Sequence, residues 1–199
     1  MSTNDSNGLL VVISGPSGVG KTTIVHRVKE AFNATFSVSA TTRQKSDSED
    51  EGIDYFFITD DAFDQMIVEG DFLEFAEVFG CHRYGTPKLP VIQAMERGEV
   101  VLLDIDVQGG IQVSENMPGS LRIFIMPPHE EELLTRLHSR GRDDEDAILR
   151  RFREAKQEIA KAEESRAYSI FIINDELELA VAETIAIIKK QLTEQTTTS

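Results

Sequence analysis

The chain has a single cysteine, Cys81, in 199 residues, so no internal disulfide can form; this is the cysteine usage of a reducing compartment. It is also short of positive charge, with 20 lysines and arginines against 35 aspartates and glutamates, a formal net charge of −15. Such a surface repels polyphosphate strands and anionic membranes, so neither a nucleic-acid polymer nor a membrane is expected as a partner. Long apolar runs are missing as well. The longest, such as LLVVI and VVLLDI, hold five or six residues, far fewer than the about 18 of a membrane-spanning helix. The start MSTNDSNG has neither the basic opening nor the apolar stretch of a secretion signal. Taken together, these absences lead us to expect a cytoplasmic protein.

What the chain does have is a set of short, unbroken apolar runs: Leu9 to Ile13, Val100 to Ile105, Leu121 to Met126 and Ile170 to Ile173. None alternates, which is the pattern of strands buried on both faces and therefore of a parallel sheet covered by helices. Helical spacing puts Ile148, Phe152, Ala155, Ile159 and Ala162 on one face, and Leu177, Val181, Ile185, Ile188 and Leu192 on another. A layered α/β core with helices on both faces follows. At this length one domain is expected, with room for inserted lobes. The stretch from 39 to 98 breaks the scheme with a polar loop (QKSDSEDEGID), a strand-like YFFI and a short helix starting near Asp60 with Phe63, Met66 and Ile67 inward. It reads as an inserted substrate lobe. Residues 129 to 166, dense in both charge signs, read as a helical lid. The polar ends, 1 to 7 and 191 to 199, are expected to be disordered.

GPSGVGKT at 15 to 22 fits the pattern G-x-x-x-x-G-K-[ST], directly after the strand LLVVIS and before a helix-compatible stretch. The four fixed positions alone would arise by chance in roughly one chain in a hundred of this size. Backbone N–H groups of such a loop cradle phosphate oxygens, and the helix start adds positive potential. We therefore expect Gly15, Pro16, Ser17, Gly18, Val19, Gly20, Lys21 and Thr22 to hold the phosphates of a nucleoside triphosphate. In that set Lys21 neutralises β and γ charge, and Thr22 helps to hold Mg²⁺. Asp104 and Asp106 end a buried strand at the edge where ligands gather in open α/β sheets, so they could orient Mg²⁺-bound water or acceptor groups; capping the next helix is the alternative. A P-loop by itself does not separate a kinase from a switch GTPase or a motor ATPase.

The rest of the chain does separate them. SVSATTR at 37 to 43, GIDYFF at 52 to 57, FLE at 72 to 74, YGT at 84 to 86, LDIDVQG at 103 to 109, PP at 127 to 128, RLHSRG at 136 to 141 and IIND at 172 to 175 occur in the order and spacing of guanylate kinases. From about Gly8 to Lys190 the chain resembles that family. The resemblance implies a P-loop nucleoside monophosphate kinase: a core (8–38, 99–128, 167–190), a GMP-binding lobe (39–98) and a lid (129–166). It implies transfer of the γ-phosphoryl group of ATP to GMP, and to dGMP, with Mg²⁺. Guanylate kinases occur as monomers and as oligomers, so a homo-oligomer is compatible with it.

By the same resemblance Ser39 and Thr86 hydrogen-bond the O6 side of guanine, Glu74 accepts protons from its N1 and N2, and Asp106 lies near the base. Arg43, Tyr55 and Tyr84 hold the GMP phosphate, and Asn174 lies towards the adenine side. Arg136, Arg140 and Arg151 match lid positions that contact phosphates, although charge on a helix taken alone usually marks a solvated face. With Lys21 and Arg43 they form the expected catalytic cations. Adenine lacks both the N1 proton and the 2-amino group, so it would leave a buried Glu74 unpaired.

Two departures stand out. The family continues TTR with x-P-R, but here Gln44, Lys45 and Ser46 follow, so the second arginine is missing and weaker hold on the GMP phosphate is expected. One extra residue precedes YGT, where Cys81 and His82 fall. With no second cysteine or spaced histidine partner, these two read as a surface turn. Two other functions compete: a scaffolding guanylate-kinase-like module, disfavoured by the intact P-loop, and a kinase with another acceptor, disfavoured by Ser39, Glu74 and Thr86.

Overall fold

In the computed structural model, residues 8–78, 80–139 and 144–198 are described. The chain enters along β1 (Leu9–Ser14), whose six residues are all buried, and turns into α1 (Lys21–Phe32). Short strands β2 (Thr35–Phe36), β3 (Ala40–Thr41) and β4 (Phe56–Phe57) follow. The helix α2 (Asp60–Glu69) starts where Thr59 accepts from the Ala62 N–H and ends on Gly70 in left-handed conformation. Next come β5 (Phe72–Val78), β6 (His82–Pro87) and α3 (Lys88–Glu96). The chain then alternates through β7 (Val100–Asp104), α4 (Val107–Asn116), β8 (Leu121–Met126), α5 (Glu130–Ser139), α6 (Glu145–Ser165), β9 (Ile170–Ile173) and α7 (Leu177–Thr198).

Five strands form one parallel sheet in the order β2-β7-β1-β8-β9. The central strand shows why both faces are covered. Leu9, Val11 and Ile13 pack with Ile24, Val25 and Val28 of α1 and with Ala180, Val181 and Ile188 of α7. Leu10 and Val12 point the other way, against Val91 and Ala94 of α3 and Val113 of α4. Strand residues alternate between faces, so an unbroken apolar run needs a helical layer on each side. The expected α/β class is the one found.

The second sheet, β4-β3-β6-β5, lies within residues 39–98. It is mostly antiparallel, with β3 and β4 parallel. Its core is aromatic: Phe63 of α2 packs on Phe72 with ring centroids 4.5 Å apart. Arg83 of β6 lies over the Phe63 ring and pairs with Asp60 and Asp64, clamping α2 to the sheet.

Three sequence expectations change. The two-residue β2 extends the first sheet at its edge beside β7, where no apolar run announced it. The end from 191, expected to be disordered, continues α7 to Thr198. Leu192 packs against the core and the Thr193 and Thr197 hydroxyls donate to carbonyls one turn back, with no glycine or proline to stop the helix. Leu177, expected on the inner face of α7, is exposed, while Ala180 and Thr184 are buried. Residues 1–7, also expected to be disordered, lie outside the described residues.

Gly110 of α4 is fixed by packing. A Cβ there would lie 1.8 Å from the Tyr168 hydroxyl, which is buried and donates to Ser14 Oγ at 2.8 Å. Alanine would gain up to about 1 kcal/mol of helix propensity, but overpacking costs about 1–3 kcal/mol or more. Gly110→Ala is expected to lower the melting temperature by roughly 4–8 °C. Gly119→Ala, where a Cβ meets nothing within 4 Å, should leave it within about 1–2 °C.

Candidate active site

The turn between β1 and α1 is shaped by its backbone. Gly20 caps α1 at φ 85°, ψ 12°, and a Cβ on it would lie 2.6 Å from Asn174 Nδ2. No side chain bonds the first amides of α1, so they remain available to an anion placed at the helix start. A cavity of 310 Å³ opens there, lined by Gly15, Pro16, Ser17, Gly18, Gly20, Lys21 and Thr22 on one side and by Asp104, Ile105, Asp106 and Glu158 on the other. The residues expected to grip a triphosphate thus surround one space, with one exception. Val19 is fully buried in the core, and its carbonyl accepts from Asn174 Nδ2 at 2.7 Å.

That bond gives Asn174, expected towards the adenine side, a structural place as well. The residue is buried at 3% exposure and its carboxamide nitrogen braces the back of the loop. Arg136 reaches the same region: its Nε donates to the Glu132 carboxylate at 2.8 Å and its Nη1 to the Asn174 carbonyl at 2.9 Å. Arg151, on α6, donates to Ser17 Oγ at 2.5 Å. Arg151 thus meets the loop directly and Arg136 meets the strand end that braces it, and Arg140 lies outside the described residues.

Lys21 pairs with Asp104. Asp106 takes the capping role, accepting from Gly109 N–H at 2.8 Å at the start of α4, while it also lines the cavity. Glu158 was missed by sequence reasoning. It comes from α6, and burial together with the negative charge of Asp106 pushes its carboxyl up to about 7, against the opposing pull of Lys21. Its signal was there: it falls between Ala155 and Ala162 on the buried stripe of α6. Among the described residues no group of three or more His, Cys, Asp or Glu side chains could enclose a metal. The oxygen donors Thr22 and Asp104 suit a hard cation that keeps most of its water and is held by few protein groups.

The second pocket is built on β5 and β6. Glu74 is 8% exposed and stands opposite Thr86, whose hydroxyl donates to its carboxylate at 2.5 Å. Burial raises the Glu74 pKa, opposed by the Thr86 bond and reinforced by Asp106. Arg43, Tyr55 and Tyr84 come together: the guanidinium lies 5.4 Å from the Tyr55 ring, and the two tyrosine rings meet edge-on at 5.7 Å. Ser39 lies just before β3, where its carbonyl accepts from Phe56 N–H.

Arg43 also holds a partner that the sequence did not single out. It binds Glu49 through both terminal nitrogens, at 2.5 and 3.1 Å. Ser46 donates to Glu49 from its N–H at 2.9 Å and its hydroxyl at 2.8 Å. These bonds hold the Glu49 carboxyl at about 2 and raise the Arg43 guanidinium above its usual range. Nothing in the acidic loop distinguished Glu49 from Asp47, Asp50 or Glu51. Cys81 is exposed at the turn between β5 and β6.

Comparison with known proteins agrees with this geometry. The family model described as "Guanylate kinase" matches residues 7–191. The guanylate kinase of Clostridium acetobutylicum is 46% identical over 181 residues, 91% of this chain and 85% of that protein. That of Carboxydothermus hydrogenoformans is 43% identical over 182 residues, 91% and 87% respectively. The crystal structure of guanylate kinase from Anaplasma phagocytophilum superposes with a TM-score of 0.66 at 33% identity, covering 93% of this chain and 86% of that one. With a match that runs nearly end to end and relatives this similar, the chain belongs to the guanylate kinase family.

Proposed function

We propose that the protein transfers the γ-phosphoryl group of ATP to GMP, and to dGMP, giving ADP and GDP. One observation carries the reading: the two pockets meet at the start of α4. Asp106 lines the phosphate cavity and binds Gly109 N–H. A Cβ on Gly109 would in turn lie 3.2 Å from Glu74 Oε2 in the second pocket. A donor phosphate and an acceptor nucleotide would thus be bound next to one another at one helix end.

On this reading the loop at 15–22 grips the donor phosphates through its amides and Lys21. Thr22, with Asp104 through water, would hold Mg²⁺, which supplies further positive charge on the phosphates when bound. In-line phosphoryl transfer asks for little covalent help, so its barrier falls mainly through alignment and through cations around the migrating group. Lys21, Arg43, Arg136, Arg140 and Arg151 are assigned that work. Glu74 accepts from guanine N1 and N2 and Ser39 and Thr86 serve the O6 side, while Tyr55 and Tyr84 join Arg43 at the acceptor phosphate and Asp106 stays near the base. Asn174 holds the loop and lies towards the adenine side. We assign residues 39–98 to the acceptor lobe, 129–166 to the lid and the remainder to the core. Closure of lobe and lid would keep water from taking the phosphoryl group. The single cysteine and acidic surface support a cytoplasmic setting, and no helix among the described residues is long and apolar enough to cross a membrane.

An assay of ADP formation with GMP, dGMP, AMP, UMP and no acceptor tests this directly. Turnover is expected with GMP and dGMP and at least about 100-fold less with AMP, whose N1 and C2 offer Glu74 neither of the two donors it needs. Turnover with AMP but not GMP would end the proposal.

Ser46→Arg restores a second guanidinium beside Arg43 and is expected to lower the KM for GMP severalfold, by roughly one charge-assisted bond. An unchanged KM would show that the loop compensates in another way.

Glu158 gives a pH signature. Its carboxyl, held up to about 7, is protonated in acid and becomes negative as pH rises, facing the space a polyphosphate must occupy. The KM for ATP should therefore climb between pH 6 and 8 in the wild type, and more steeply than in Glu158→Gln. Parallel profiles would exclude this role.

A further inference from the structure

The strand that carries Glu74 lies at an edge: in the order β4-β3-β6-β5, β6 is the only strand among the described residues that is bonded to β5. On that side Glu74 is matched with Thr86. The opposite side is closed from the other sheet's layer. The Gln112 carboxamide accepts from Phe75 N–H at 3.1 Å and donates to the Phe75 carbonyl at 3.0 Å. Asn116 donates to the Leu73 carbonyl at 2.9 Å. A side-chain amide carries the same donor and acceptor as a peptide group, so Gln112 does for Phe75 what a neighbouring strand would do.

Residues 109, 112 and 116 share one face of α4 by helical spacing. Gly109 lies under the Glu74 side chain, with its virtual Cβ 3.4 Å from Glu74 Cγ. The two backbone positions bound from α4, Leu73 and Phe75, flank Glu74 directly. Side-chain direction in a strand follows the backbone, so a shift at either flank swings the carboxylate between them. The pairing between β5 and β6 is itself irregular between Phe72 and Glu74, so β6 alone does not fix the register at this point.

We propose that Gln112 and Asn116 are positioning residues for purine selection: by fixing the backbone on both sides of Glu74, they set how well GMP is told from a purine lacking the 2-amino group. The inference rests on the assignment of guanine to Glu74. Neither residue touches the base; each acts through the strand. Neutral hydrogen bonds of this kind are each worth a few-fold to about tenfold in an equilibrium.

Gln112→Met and Asn116→Leu keep approximate shape and remove the bonds. Steady-state kinetics with GMP, with inosine monophosphate (which has guanine's O6 and N1 proton but no 2-amino group) and with varied ATP would be read beside thermal melts. Each variant is expected to raise the KM for GMP by roughly five- to tenfold and to lower the GMP-to-IMP ratio of kcat/KM by a similar factor. The KM for ATP should stay at the wild-type value, which also certifies the fold. The proposal is overturned if the KM values for GMP and ATP rise together in both variants, or if both melt lower with the GMP-to-IMP ratio intact. Glu74→Gln is measured in parallel. A wild-type ratio in that variant would remove the guanine assignment itself, whereas a lowered ratio there with unchanged ratios in the two α4 variants removes only the positioning role.

Discussion

A backbone turn can present amides to a ligand only if its own rear is held in place, and the loop from Gly15 to Thr22 depends on that constraint. Its rear is closed by the Asn174 carboxamide nitrogen on the Val19 carbonyl and by the burial of Val19 itself. Beneath it, β1 is held between β7 and β8 by parallel ladders on both sides. With the strand paired on both edges and the Val19 carbonyl bonded, the front of the loop borders the cavity, where an anion can take its amides. The extra-core features then fall into place around this fixed point: α6 reaches it through Arg151, α5 through Arg136, and α4 through Asp106.

The chain carries a formal charge of −15 and yet must bring two phosphate-bearing nucleotides together. Its solution is local. Three cations assigned to phosphates are each held by a carboxylate of the chain: Lys21 by Asp104, Arg43 by Glu49 and Arg136 by Glu132. A phosphate arriving at any of them exchanges one anion for another instead of meeting a bare charge. Such pairs hold long, flexible side chains near their working positions, which reduces the ordering entropy that binding would otherwise cost.

Much of this was legible in the sequence because its determinants are local. Unbroken apolar runs gave β1, β7, β8 and β9, the loop pattern gave the turn that lines the cavity with Lys21 and Thr22, and the end of the β7 run gave Asp104 beside them. The short helix read from near Asp60 is α2. What escaped was set by tertiary contact. The two residues of β2 are too short to show periodicity, and the polar end of α7 is helical because Ile188 and Leu192 anchor it. Glu49 was one acid among several, chosen only by its reach to Arg43. Val19 and Asn174 belong to the right loop and the right strand end, yet which way each side chain points is decided by packing that no spacing rule records. Gln112 and Asn116 are ordinary helix residues until the edge of β5 is laid beside them.

The turn joining β5 to β6 exposes the chain's sole sulfhydryl, at Cys81. A maleimide dye or nitroxide would attach there and nowhere else, on the sheet that carries Glu74 and across the molecule's two-sheet division from β1. Swinging of one sheet against the other during turnover could thus be followed by fluorescence or spin-label distance in the unmutated chain, with a second label needed only on the nucleotide.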